Sequence, residues 1–145
     1  MTIEVRTRCL PGQPAAIGSA GPYTLVVDRP ADAGGDGLGF NGGQLLYLAV
    51  AGCVSNDLFR EAAAAGIDLH RVEVTVRGDF AGDPAVSGEV TYDVRIEGDA
   101  PTDELRELVD RVDAIAEIPN SLRGGTAVTL RRAEVTGIDR AGPGV

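Results

Sequence analysis

The chain has one histidine, His70, and two cysteines, Cys9 and Cys53, among 145 residues. That scarcity argues against the usual metal sites, which draw several His and Cys ligands at short spacing; there is no CxxC and no HxxxH. It also excludes a disulfide scaffold, because a chain of this size forms its own core without staples. Positive charge is scarce too: 13 Lys and Arg against 22 Asp and Glu leave a net charge of −9. Nucleic acid and anionic membranes need a basic surface, so neither is an expected partner, and the acidity is read as serving solubility. The apolar run at 45–54 is shorter than the roughly 20 residues that span a bilayer. No basic segment followed by an apolar stretch stands at Met1. These features lead us to expect a cytoplasmic protein with no metal and no resident cofactor.

Apolar residues at 43% and charged residues at 24% suit a single globular domain, expected over 1–138, with a flexible glycine- and proline-rich tail at 139–145. Residues 2–10 alternate, Ile3, Val5 and Thr7 against Glu4, Arg6 and Arg8, as in a half-exposed strand. Turn-rich patches follow at 11–14 and 18–22, and 23–28 reads as a second strand. The loop 29–39 is rich in glycine, which permits close backbone approach, but it lacks the GK[ST] ending of a phosphate loop. Asn41 is a suitable cap for a helix that is apolar on all faces in its first half and is ended by Gly66. Residues 70–80 and 86–97 alternate around a turn at 81–85. Leu105, Leu108, Val109, Val112 and Ile115 stripe a second helix that Pro119 disrupts near Ile118. Residues 126–135 read as the last strand. The order β-β-α-β-β-α-β defines an α+β domain with antiparallel sheets and a central buried helix. A helix apolar all round asks for more cover than one small sheet gives, which favours an intertwined homodimer.

The apolar helix carries Cys53. On chemistry alone it is either a small buried hydrophobe or a protected nucleophile. Asp57 and Arg60, four and seven residues on, lie broadly on its face, either as a pocket-edge pair or as an ordinary surface ion pair. Phe40, Tyr47 and Phe59 are either pocket lining or core. His70 reads as an exposed turn residue.

Four segments in order, VDRPADAGGDGLGFN, QLLYLAVAGC, GIDLHRVEVTVRGDF and AEIPNSLRGGTAVTL, resemble the OsmC/Ohr family of osmotically inducible and organic hydroperoxide resistance proteins. The resemblance covers roughly 23–135. It implies reduction of organic hydroperoxides by a thiolate that becomes a sulfenic acid, a second cysteine that condenses with it, and an external dithiol that reduces the disulfide. It also implies an arginine and a glutamate beside the first sulfur. Cys53 falls on the first cysteine position. Ile118 stands at the second, in Ile118-Pro119-Asn120-Ser121, and Gly43 stands in place of the glutamate. Arg6, Arg8 and Arg29 are candidates for the arginine, and Cys9 is an alternative resolving thiol if its strand passes close. Phe40, Gln44, Tyr47, Asn56, Ile118 and Asn120 are the candidate pocket residues.

Two functions of different class follow. One is a thiol-dependent hydroperoxide reductase with a one-cysteine site at Cys53, served by an external dithiol. The other is a non-catalytic homodimer that binds a small apolar or acyl ligand between subunits.

Overall fold

The computed structural model describes residues 1–137; the tail expected at 139–145 lies outside the described residues. Strands β1 (Arg6–Cys9), β2 (Ala16–Ala20) and β3 (Tyr23–Val27) form an antiparallel sheet in the order β1-β2-β3. β2 was not expected, because Gly18 and its neighbours read as a turn. Gly18 instead lies within the ladder, where an added Cβ would sit 3.2 Å from the Val27 side chain, so the glycine admits close packing. The reversal itself is Gly21-Pro22, with Gly21 at φ 56°.

The glycine-rich loop is organised by Asp28, a buried carboxylate. It accepts the backbone N–H groups of Arg29, Asp36 and Leu38 at 2.8, 3.1 and 3.0 Å. The Leu38 hydrogen bond leads the causes that hold Asp28 below the usual carboxylate range. Gly39 is required here, since a Cβ would lie 2.2 Å from the Val26 carbonyl oxygen. The loop thus returns to β3, with Phe40 bridged to Val27.

Helix α1 (Gly42–Ala64) starts in a capping box: Asn41 Oδ1 accepts from Gln44 N–H, and Gln44 Oε1 from Asn41 N–H, both at 2.9 Å. It ends in a Schellman motif. Ile67 N–H donates to the Ala62 carbonyl at 2.9 Å and Gly66 N–H to Ala63 at 3.2 Å, with Gly66 at φ 72°. The helix lies on the ladder of β4 (Leu69–Arg77) and β7 (Thr91–Gly98), in which Val72, Val74 and Val76 pair with Ile96, Val94 and Tyr92. Helix α2 (Thr102–Ile115) closes the core through Leu108 and Val112, packed with Val54, Leu58, Ala62 and Ala116.

Three expectations are corrected. The two long strands do not run unbroken to the turn, since β5 (Phe80–Gly82) and β6 (Ala85–Ser87) form a separate hairpin. Gly78 and Gly88 permit that break: a Cβ on Gly78 would meet the Tyr47 hydroxyl at 2.6 Å, and one on Gly88 an Asp79 carboxylate oxygen at 2.5 Å. The second helix ends at Ile115, before Pro119, and a short helix α3 (Glu117–Arg123) follows. Pro119 occupies its first turn, where a missing N–H leaves no helical bond unmade. Residues 126–135 form no strand within the described chain. They have no ladder to join, and Val128, Leu130 and Val135 are 97%, 83% and 88% exposed. Among the described residues no helix is long and apolar enough to cross a membrane.

Candidate functional site

Cys53 lies in the middle of α1, half-buried against the core, and is a free thiol. It follows Leu46 and Val50 along one stripe of the helix, and Asp57 comes next on that stripe. The Cys53 thiol donates to Asp57 Oδ2 across 3.9 Å. The expected i,i+3 ion pair forms with Arg60 exposed, but its carboxylate partner is buried, Asp57 being 6% exposed. Its other oxygen lies 2.7 Å from Arg60 Nη1, and Arg60 Nε also donates to Glu61 at 3.1 Å. The Glu61 hydrogen bond, then the charge of Asp57, holds the Arg60 guanidinium above its ordinary value. Arg111 of α2 reaches Glu61 at 4.0 Å, and the charge of Glu117 on α3 adds to the field on Arg60.

The sequence-named arginines stand elsewhere. Arg6 is paired with Glu4 at 2.8 Å on the exposed face of β1, and Arg8 is exposed on the same strand. Arg29 lines a cavity of about 650 Å³ at the start of α1, together with Asp28, Asn41 and Gly43. The only guanidinium tied to the cysteine cluster among the described residues is that of Arg60. Cys9 ends β1 opposite Ala16, is exposed, and forms no disulfide.

Of the named pocket residues, Gln44 is engaged as the α1 cap, Phe40 is held at the β3 bridge, and Asn56 is exposed. The Tyr47 hydroxyl donates to the Asp79 carbonyl at 3.1 Å, while its ring stacks on Phe80 at 5.8 Å between centroids. Phe80 also covers Gly43: a Cβ there would lie 2.8 Å from the ring. Ile118 is half-buried in the first turn of α3, and Asn120 donates to the Ala114 carbonyl at 2.9 Å. His70 lies in β4 rather than a turn, and its bond to Asp99 at 2.7 Å raises its proton affinity.

A cavity of about 300 Å³ opens between α1, β7 and α3, lined by Leu46, Val50, Val90, Tyr92, Pro119 and Arg123, among others. Neither Cys53 nor any of the six named pocket residues lines it. Its polar side is a network that sequence reading missed. Asp113 accepts from the Tyr92 hydroxyl and is paired with Arg123, whose Nη1 donates to the Asp113 carbonyl at 2.9 Å. Burial, reinforced by the neighbouring carboxylate, pushes the Tyr92 hydroxyl up to about 12. The hydrogen bond from Tyr92, then that from Arg123, holds Asp113 below its usual range. The signal was weak, because Tyr92 occupies an inward position of an alternating strand and reads as core. Among the described residues no group of three or more His, Cys, Asp or Glu is placed to hold a metal.

A sequence model of the OsmC-like protein family matches residues 34–131, which include α1, the β4–β7 ladder and both later helices. The chain belongs to the OsmC-like family. The fold of this OsmC-like protein is also that of solved structures. The OsmC-like protein of Mycoplasma pneumoniae superposes with a TM-score of 0.73 at 18% identity, over 86% of this chain and 89% of that one. An organic hydroperoxide resistance protein OsmC from Legionella pneumophila gives 0.66 at 22% identity, over 86% and 90%. The organic hydroperoxide resistance protein OhrB of Bacillus subtilis gives 0.61 at 23% identity, over 86% and 92%. No curated protein matches the chain.

Proposed function

We propose that this OsmC-like protein reduces organic hydroperoxides with Cys53 as its one redox cysteine. The observation that carries the proposal is a free, half-buried thiol on the central helix in contact with a charged pair; the sequence resemblance, which implies the first cysteine here, supports it. The Cys53 sulfur attacks the terminal peroxide oxygen, an S–O bond forms and the O–O bond breaks. The thiol becomes a sulfenic acid and the hydroperoxide leaves as its alcohol. Ile118 offers no thiol for an internal disulfide. An external dithiol therefore condenses with the sulfenic acid, releasing water, and its second thiol frees Cys53 while the dithiol becomes a disulfide. We assign the reaction to the cytoplasm, where thiols are kept reduced. The test is stoichiometric cumene hydroperoxide: one equivalent should remove the Cys53 thiol, leave a trappable sulfenic acid and give turnover with a dithiol. A thiol count unchanged by hydroperoxide sinks the proposal.

A second reading rests on the apolar cavity at Leu46, Val50 and Pro119. It is the binding of a small apolar or acyl ligand without chemistry. It requires ligand-dependent thermal stabilisation with the thiol inert.

We further propose that the working unit is a homodimer. Leu48 and Phe59 are 49% and 52% exposed on α1, and residues 126–135 expose Val128, Leu130 and Val135 with no ladder among the described residues. A second copy supplies both the cover and the edge for strand addition. Leu130→Asp should convert a dimer to a monomer in sedimentation equilibrium; wild-type protein sedimenting as a monomer at tens of micromolar refutes it.

A further inference from the structure

The Cys53 proton needs an acceptor, and the hydroperoxide's leaving alkoxide needs a proton. The geometry points to Asp57 as the group that carries that proton, with Arg60 as its positioning residue. The inference deepens the peroxidase reading and rests on it.

Asp57 is the side chain that accepts the Cys53 thiol, at 3.9 Å. Contacts of this kind in a resting site tighten when substrate is bound. The carboxylate is buried on the helix, and burying a charge costs free energy unless it has a partner. Arg60 is that partner, at 2.7 Å. The pairing matters for the sulfur. A bare carboxylate beside it would oppose the negative charge that builds on sulfur as its proton leaves, whereas the neutralised pair does so far less. Glu61 on α1 also holds the Arg60 head, Arg111 on α2 reaches Glu61 in turn, and the charge of Glu117 on α3 completes the surroundings. At the other end of the site, the position of the family's glutamate is Gly43 with Phe80 over it, and Arg6, Arg8 and Arg29 make no contact with this cluster. This chain therefore carries its acid and arginine on the C-terminal side of the thiol.

In the step, the Sγ proton passes to Asp57 Oδ2 as sulfur attacks the terminal oxygen and the O–O bond breaks. Sulfur loses two electrons, and the peroxide gains them. The proton then passes from Asp57 to the departing alkoxide, which leaves as alcohol, and Asp57 is again a carboxylate.

The experiment compares wild type, Asp57→Asn, Asp57→Glu and Arg60→Gln in two reactions of Cys53. One is oxidation by cumene hydroperoxide, and the other is alkylation by iodoacetamide, whose iodide leaves without a proton. Asp57→Asn should slow oxidation at pH 7 by about 100-fold, the lower end of general acid–base catalysis, while alkylation does not fall. Asp57→Glu should restore part of the oxidation rate. Arg60→Gln, which leaves the buried Asp57 carboxylate unpaired and is therefore compared at equal thermal stability, should slow both reactions. Asp57→Asn oxidising as fast as wild type or faster overturns the inference and leaves the peroxidase reading standing, as does an Arg60→Gln protein unchanged in both reactions. Wild-type protein that alkylates but never oxidises defeats the peroxidase reading itself, and this inference with it.

Discussion

Cys53→Ser is expected to reduce dithiol-coupled hydroperoxide turnover by at least ~10³-fold, the scale on which loss of an activated nucleophile acts. Serine keeps the size of the side chain and its place on the helix, so the fold should survive; the hydroxyl can bond to Asp57 or back to the helix carbonyl four residues earlier. What is lost is the polarisable sulfur, which a hydroxyl cannot replace in attack on oxygen. Cys9→Ser provides the contrast. Cys9 is exposed at the end of β1 and pairs with nothing, so turnover should be unchanged. Coupled turnover measured on both variants at equal thermal stability checks the pair. Equal loss in both would mean that Cys9 resolves the sulfenic acid, and persistence in Cys53→Ser would mean that the sulfur on α1 is not the nucleophile.

The second large effect concerns the fold. Leu58 is fully buried at the point where α1 meets α2 and the β4–β7 ladder. Leu58→Ala should destabilise the protein by about 2–5 kcal/mol, through lost burial and a cavity that Val54, Leu108 and Val112 cannot collapse to fill. For a chain of this size each kcal/mol corresponds to roughly 2–4 °C in Tm. Urea titration should show a lower midpoint with an unchanged slope. A cost below about 1 kcal/mol would mean that the α1–α2 seam is loosely packed. Phe59→Ala, next along the chain but half exposed, should cost clearly less in the isolated protomer.

Much of this architecture is legible in the residues because local chemistry and tertiary packing agree. Asn41 and Gly66 announce the two ends of α1, and the alternating valines of β4 and β7 set their register. Agreement fails where a local signal has two causes. Gly18 reads as a turn, yet it is glycine because β3 side chains press on it from the neighbouring strand. Pro119 reads as a helix breaker, yet the break falls earlier and the proline starts the next helix. Residues 126–135 have the pattern of a strand, but pattern does not supply a ladder. The site divides in the same way. Cys53 could be picked out by its position in a motif. The burial of Asp57 could not, because a carboxylate four residues beyond a cysteine looks the same in sequence whether it faces solvent or the core. Tyr92 and Arg123 meet at Asp113 only because β7 and α3 both pack against α2, which no spacing in the chain encodes.

The ring of Phe80 over Gly43 limits what position 43 can accept. A glutamate placed there would meet that ring at once, and moving the ring breaks its stack on Tyr47. Trimming Phe80 alone would open the space but put nothing chemical in it. Installing an acid at that spot therefore needs two changes together, each a poor exchange by itself. The hairpin acts as a latch on this end of the helix.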